Sequence, residues 1–357
     1  MLKKVLIGIL IGALLLALAF WGVPLDEVRE ALARMDAIWL IPVAVVFLYQ
    51  QVVRALRQMV MVRALKPEST YWTNLGILCM GFLCINTFPA RLGEFVRPYL
   101  LKQKEGIPMG AGFGLTFVER LLDLTATLLI LALVLTFAEL PTHEIELAGS
   151  TWDVTVLGTR VATTLLLPLG VVACALLFFG RQVLALSSWI HRAVTARVRW
   201  AWLDKLGRWL LGFAEDFVQG LDSVKSSGRL AVLVALTAAT WAGSAFMYTS
   251  LAAAFGFPEL IGFVEGLGVM VLIMLGTMAP APPGFVGVYE AAARGALALF
   301  GVHGPLRGQA IAYALVLHYW TYFVQALTAW WFFRQESEGW WALMMRALGR
   351  GGAEDRT

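Results

Sequence analysis

Asn86-Thr87-Phe88-Pro89-Ala90-Arg91-Leu92-Gly93-Glu94-Phe95-Val96-Arg97-Pro98-Tyr99 follows directly on an apolar run, yet it holds three charges and two prolines. A plain membrane-spanning helix does not accommodate this. Each charge at mid-bilayer costs about 2.5–3.5 kcal/mol even on a lenient scale, and a proline inside a helix removes a backbone hydrogen bond. The stretch is therefore expected to be a break in the helix, with its charges paired, wetted or in use. Such breaks persist at membrane depth only where protein or a wet cavity covers the freed backbone.

The surrounding composition sets the class. The chain has 357 residues, 59% of them apolar, and a mean hydropathy of +0.75, more than the core of a soluble domain hides. Apolar stretches near or above spanning length fall at Val5 to Trp21, Ile38 to Val53, Leu75 to Phe88, Gly110 to Ala138 and Val161 to Gly180. Others fall at Leu230 to Phe255, Ile261 to Ala281, Gly287 to Val302 and Ile311 to Phe333. No long alternating pattern supports a β-barrel, so the fold class expected is an all-α polytopic membrane protein. Cys79, Cys84 and Cys174 lie inside apolar stretches without close Cys or His partners, which predicts small core residues and no metal site. No cofactor is expected either. The sequence has no nucleotide-binding glycine loop, HExxH or GxSxG, which argues against an ATP-driven pump and the common hydrolases.

The placing of Lys and Arg gives the topology, because cytoplasmic loops are enriched in both. Lys3 and Lys4 precede the first apolar run, read as an uncleaved helix; the alternative is a signal sequence cut near Ala17-Leu18-Ala19. The acidic loop from Val23 to Ala37 is placed outside, and the run with Arg54, Arg57, Arg63 and Lys66 inside. If Leu75 to Phe88 then crossed outward, Arg91, Arg97, Lys102 and Lys104 would face the wrong side. A re-entrant pair removes the conflict, dipping in as far as Pro89 and returning by Lys104. Beyond the next span, the loop from Glu139 to Thr159 holds four acids and is placed outside, while the basic segment from Arg181 to Arg229 is placed inside. Its interleaved Trp189, Trp200, Trp202 and Trp209 predict amphipathic helices at headgroup level. A basic aromatic face also suits nucleic acid, but the flanking spans favour the membrane surface. A second re-entrant pair, from Ile261 to Val302, is broken at Pro280-Ala281-Pro282-Pro283-Gly284. The expectation is about six full spans of roughly 20 residues, two re-entrant hairpins and a cytoplasmic amphipathic segment. Both termini are placed in the cytoplasm and the protein in the cytoplasmic membrane.

The same order of elements occurs twice, from Ala37 to Ala138 and from Leu230 to Phe333, and the charge bias inverts one copy relative to the other. The expected units are 1–36, 37–138, 139–229, 230–333 and 334–357. Paired interruptions at matching places of two inverted repeats point to a transport site at mid-depth. Pro89, Gly93, Pro283, Gly284 and Gly287 are the expected structural breaks. Arg91 and Glu94 stand three apart and are expected to share a face, and Arg97 adds a planar fork suited to phosphate. Glu119 and Asp123, four apart, flank Arg120 on the following helix and are expected to turn inward. They either neutralise arginines or couple a proton or cation. Glu290, with Arg294 four residues on, is the strongest candidate for carrying a proton, and His318 is a candidate to join it. Arg54 and Arg57 read either as snorkelling to headgroups or as contacts to a lipid phosphate.

Three motifs carry a resemblance: Asn86-x-x-Pro89-x-Arg91-x-Gly93-Glu94-x-x-Arg97, then Val118-Glu119-Arg120-x-x-Asp123, then Pro280-x-Pro282-Pro283-Gly284-x-x-Gly287-x-x-Glu290. Together they resemble the lysylphosphatidylglycerol synthase transmembrane region, or flippase-like domain family, over Ala37 to Phe333. The resemblance implies movement of a lipid between leaflets. Synthase members add a large soluble aminoacyl-transferase domain; here only Arg334 to Thr357 follows the last expected helix, so aminoacyl transfer is not carried over. The leading expectation is a translocase for an anionic phospholipid or polyprenyl phosphate, with Asn86, Arg54, Arg91, Arg97 and Arg120 holding the headgroup. Glu94, Glu119, Asp123, Glu290 and His318 would balance charge or carry protons. Two alternatives stand beside it: an integral membrane transferase using Glu94 or Glu290 as base, and a membrane subunit for a lipid-modifying enzyme partner. No nucleic-acid partner is expected.

Overall fold

The structure, a computed structural model, describes residues 2–87, 93–138, 144–147, 150–198, 200–278 and 282–335. Pro89 and Arg91 lie outside the described residues. The helices are α1 (Leu2–Ala19), α2 (Leu25–Arg34), α3 (Leu40–Val62), α4 (Tyr71–Thr87), α5 (Val96–Glu105), α6 (Met109–Phe137) and α7 (Val154–Val161). They continue as α8 (Leu167–Arg197), α9 (Ala201–Asp222), α10 (Ser227–Ala254), α11 (Phe263–Gly276), α12 (Val288–Leu299) and α13 (Arg307–Phe333). Among the described residues five helical runs are long and apolar enough to cross a membrane: Ala37–Val62, Met109–Phe137, Gly158–Arg197, Ser227–Ala254 and Gly304–Phe333. The chain is a helical, multi-pass membrane protein. The expected further span, α1, has 18 residues and is not among the five.

Local chemistry explains the shorter elements. In α2 the first turn carries Asp26 and Glu27 and the last carries Arg34, both matching the helix dipole. Helix α5 stops at Gly106, whose left-handed φ of 69° closes the last turn. One departure from an all-α chain is the antiparallel pair β1 (Glu144–Leu147) and β2 (Ser150–Asp153). Glu144-Ile145-Glu146-Leu147 alternates with the two-residue period of a strand.

In the basic segment α8 runs on past Gly180 to Arg197 as one helix. Helix α9 then folds back along α8, and the pair is held by His191 Nε2 to Asp204 at 3.3 Å and by Arg181 to Asp222 at 2.5 Å. The far end of α9 lies against α6 at a stripe of glycines. A Cβ on Gly114 would sit 2.3 Å from the Phe217 carbonyl, and one on Gly220 would sit 2.4 Å from that of Ala111. Edge-on rings of Phe117 and Phe217, 5.6 Å apart, seal the contact.

Two sets of four helices share one pattern of lengths: 23, 17, 10 and 29 residues for α3 to α6, and 28, 14, 12 and 27 for α10 to α13. Their neighbours correspond as well. Helix α4 packs on α13 as α11 packs on α6, while α3 and α10 pack on each other. That central pair is antiparallel: Asp36 N donates to Ala254 O at one end, and Arg57 Nη1 to Thr237 Oγ1 towards the other. Between α4 and α5, Gly93 presses on the α4 backbone, where a Cβ would lie 2.2 Å from Ile85 N. Between α11 and α12, Pro283–Phe285 forms a 3-10 turn with left-handed φ at Gly284 (70°), and Gly287 follows at 83°. This turn packs against both α1 and α4.

The glycine stripe is testable. Gly114→Ala is expected to lower the thermal unfolding midpoint in detergent by the equivalent of about 1–3 kcal/mol, through overpacking. Gly212→Ala, where nothing lies within 4 Å, is expected to be neutral or to stabilise by about 0.5–1 kcal/mol as a helix-interior change. Equal midpoints for the two variants would contradict the α6–α9 contact.

Candidate functional site

Helix α3 stays helical through Val62, and this brings Arg57 into the protein rather than to its surface: the side chain is 2% exposed. It meets Glu119 and Asp123, which share one face of α6. Arg57 Nη1 donates to Asp123 Oδ1 at 2.7 Å, and Nη2 lies 3.1 Å from Glu119 Oε1. Arg97, from α5, reaches the other side of Glu119, with Nη2 2.7 Å from Oε2 and Nη1 3.2 Å from Oε1. The same Nη2 donates to Gln58 Oε1 at 2.7 Å, and Gln58 donates in turn to Asn74. Glycine at 81 makes room, since a Cβ there would meet Arg97 Cγ at 2.2 Å. Buried ions of this kind persist only when paired and hydrogen-bonded.

Beside this network lies a cavity of about 310 Å³, bounded by α3, α4, α6, α10, α11, the start of α12 and α13. Its charged wall is Arg54, Arg57, Glu119, Arg120 and Asp123, and its other walls include Phe82, Trp241, Met270 and Tyr289. Arg54 donates to Gln50 Oε1 at 3.2 Å and, among the described residues, makes no ion pair. Its guanidinium lies 5.3 Å from the centre of the Phe82 ring, and that of Arg97 lies at the same distance, so one ring bridges two cations. Arg120 stands 3.7 Å from Asp123 and is 42% exposed. Among the described residues the cluster holds four arginines (54, 57, 97, 120) against three acids: Glu119, Asp123 and Glu94, which acts electrostatically on Arg120. Among the described residues of this cluster the arginines exceed the acids by one.

A second buried pair sits behind the wall. Glu290 is fully buried; its Oε2 accepts from Gly287 N at 2.7 Å, capping α12, and its Oε1 lies 2.7 Å from His318 Nδ1. The His318 ring stacks between Tyr289 and Tyr319, at 4.3 and 4.9 Å. Tyr289 faces the cavity, so the pair lies one residue behind the lining.

Of the expected site residues, Arg54, Glu119, Arg120 and Asp123 line one cavity. Arg97 does not present its fork there, because Glu119 and Gln58 already occupy it. The snorkelling reading of Arg57 is overturned by its burial. Asn86 ends α4 and is not among the lining residues. Arg294, four residues on from Glu290, turns to α1, where its Nη1 donates to Ala19 O at 2.6 Å and Trp21 O at 2.9 Å. Gln50 and Phe82 were missed, and so was the pairing of Arg57 with Glu119 and Asp123. The signal for Arg57 was Met59-Val60-Met61-Val62, apolar residues that carry the helix beyond the arginine.

The family model described as the lysylphosphatidylglycerol synthase transmembrane region matches residues 5–329. Glycosyltransferase AglD of Haloferax volcanii is 29% identical over 303 residues, covering 80% of this chain and 47% of that protein. The chain thus spans about half the length of this relative. No solved structure matches.

Removing Arg57 leaves two carboxylates without their shared cation. Arg57→Gln is expected to cost about 3–5 kcal/mol, the usual effect of breaking a buried pair, and Arg57→Gln/Asp123→Asn to recover part of it. Arg54→Gln should change stability by less than about 0.5 kcal/mol, since no ion pair is lost. Thermal unfolding in detergent checks all three, and equal losses at 54 and 57 would contradict the division of roles.

Proposed function

Because the chain belongs to the lysylphosphatidylglycerol synthase transmembrane-region family, we propose that it is a flippase-like translocase that moves an anionic lipid between leaflets of the cytoplasmic membrane. The observation that carries the reading is the cavity's surplus positive charge, with Arg54 and Arg120 the arginines left to bind a phosphate. A guanidinium fork suits phosphate oxygens, and the apolar walls suit the first carbons of a lipid. The acyl or isoprenoid chains stay in the bilayer.

In this reading α4–α5 and α11–α12 are re-entrant hairpins of an inverted repeat, and α1 completes six spans. The matched helix lengths, the exchanged neighbours and the antiparallel α3–α10 pair support it, and such repeats place transport sites at their interface. Arg91 and Asn86 line the path at the first break. Glu119, Asp123 and Glu94 balance the arginines, and Glu290 with His318 carries a proton whose position is felt in the cavity through Tyr289. Both termini are cytoplasmic.

A second reading has one specific support, the name of the Haloferax volcanii relative. There the chain is the membrane part of, or a subunit for, a transferase acting on a lipid-linked substrate. Mass spectrometry of lipids from a deletion strain separates the two readings, since a missing species supports the transferase and a mislocalised one the translocase.

In proteoliposomes, Arg54→Gln and Arg120→Gln are each expected to slow exchange of fluorescent phosphatidylglycerol at least about tenfold, about 1.4 kcal/mol of lost phosphate binding, with the fold intact. Wild-type rates in both variants would sink the phosphate-binding role.

A further inference from the structure

The cavity carries more hydrogen-bonding groups than a phosphate uses, and they fall into acceptors and donors. Thr240, Ser244 and Thr321 line it, yet their hydroxyl hydrogens are already given to helix carbonyls: Thr240 to Leu236 O at 2.9 Å, Ser244 to Thr240 O at 3.0 Å, and Thr321 to Leu317 O at 2.7 Å. What these oxygens have left are lone pairs, which accept and do not donate. A bare phosphate brings them nothing, because it too is an acceptor. The ligand they fit brings its own hydroxyl hydrogens.

Other lining groups show the converse. Gln50 is 2% exposed and lines the cavity; its Oε1 accepts from Arg54, while its Nε2 has no partner among the described residues. The Nε atoms of Arg57 and Arg120 are also without partners. Buried donors left this way are uncommon in folded proteins, and each calls for an acceptor. A hydroxyl is donor and acceptor at once, so a ring bearing several can serve both sets of groups. Trp241 and Tyr289 offer flat apolar faces for the ring carbons. The surplus positive charge, meanwhile, repels an ammonium group, an exclusion built on like charge.

We infer that the headgroup taken into this cavity is a phosphate ester of an uncharged polyol, such as an inositol or hexose phosphate lipid, and not one bearing a cationic amine. The inference rests on the lipid-binding reading above and goes beyond it in naming what the phosphate carries. The arginines hold the phosphate, Gln50 Nε2 donates to a ring oxygen or hydroxyl, and Thr240, Ser244 and Thr321 receive the ring hydroxyls.

The test uses the full chain in detergent and in proteoliposomes, with phosphatidylinositol, phosphatidic acid and lysyl-phosphatidylglycerol as probes. Native mass spectrometry should show phosphatidylinositol retained at least about tenfold over each of the others. Thr240→Val/Ser244→Ala should erase its advantage over phosphatidic acid while leaving phosphatidic acid binding unchanged. Equal retention of phosphatidylinositol and phosphatidic acid, or preference for the lysyl lipid, overturns the inference even if lipids are moved. Selective retention by a protein that moves no lipid upholds it and sinks the translocase instead. Glucose 1-phosphate, which lacks the chains, separates a lipid from a soluble sugar phosphate. If it binds as tightly as phosphatidylinositol, the lipid assignment is overturned. Should the double variant not fold, Gln50→Leu, which removes the unpartnered donor, is read by the same ratio.

Discussion

Glu119 held between Arg57 and Arg97 is the constraint on which the rest depends. Three helices meet at that carboxylate, each bringing a charge that is no more than 3% exposed. At about 3 Å and an effective dielectric near 20, each attraction is roughly 5 kcal/mol, comparable with the several kcal/mol needed to desolvate each ion. The network therefore adds little net stability when whole, and a great deal is lost when one member is missing. Its consequence is register. Helix α5 has ten residues, too few to span, and an unanchored segment that short has no reason to sit at one depth. Arg97 reaching Glu119, with glycine at 81 clearing its path, fixes where it lies.

The second half solves the same problem with different chemistry. Helix α12, also short, is tied by Glu290, which caps its own helix through Gly287 N and reaches His318 on α13. Gly287 is required there: its φ is positive, and a Cβ would collide with α1 at Gly12 O, 2.4 Å away. So one break is anchored by an arginine–carboxylate network and the other by a carboxylate–imidazole contact.

Much of this was legible in the chain itself. Charges and prolines inside apolar stretches marked both breaks, and the spacing of Glu119 and Asp123 predicted a common face, which Arg57 now joins. The pairings were not legible, because they link residues far apart in sequence. Arg97 to Glu119 and Arg57 to Asp123 could not be told from Arg97 facing the guest, and Arg294, near Glu290 in sequence, turns away to cap α1. The docking of α9 on α6 is a related case: Gly110 and Gly114, four apart, mark a close-packing face on α6, but their spacing does not say which helix fills it.

The division of the arginines bears on turnover. A site that moves its guest must bind it firmly enough to draw it in and loosely enough to release it, as in other conducting sites. Arg57 and Arg97 are locked in short bonds and serve as fixed positive background. Arg120 is different: half in solvent and 3.7 Å from Asp123, it has a carboxylate waiting beside it. In the proposed translocase a phosphate would compete with Asp123 for that guanidinium and Asp123 would take it back on release, while the shorter pairs around Glu119 keep the surrounding helices in register.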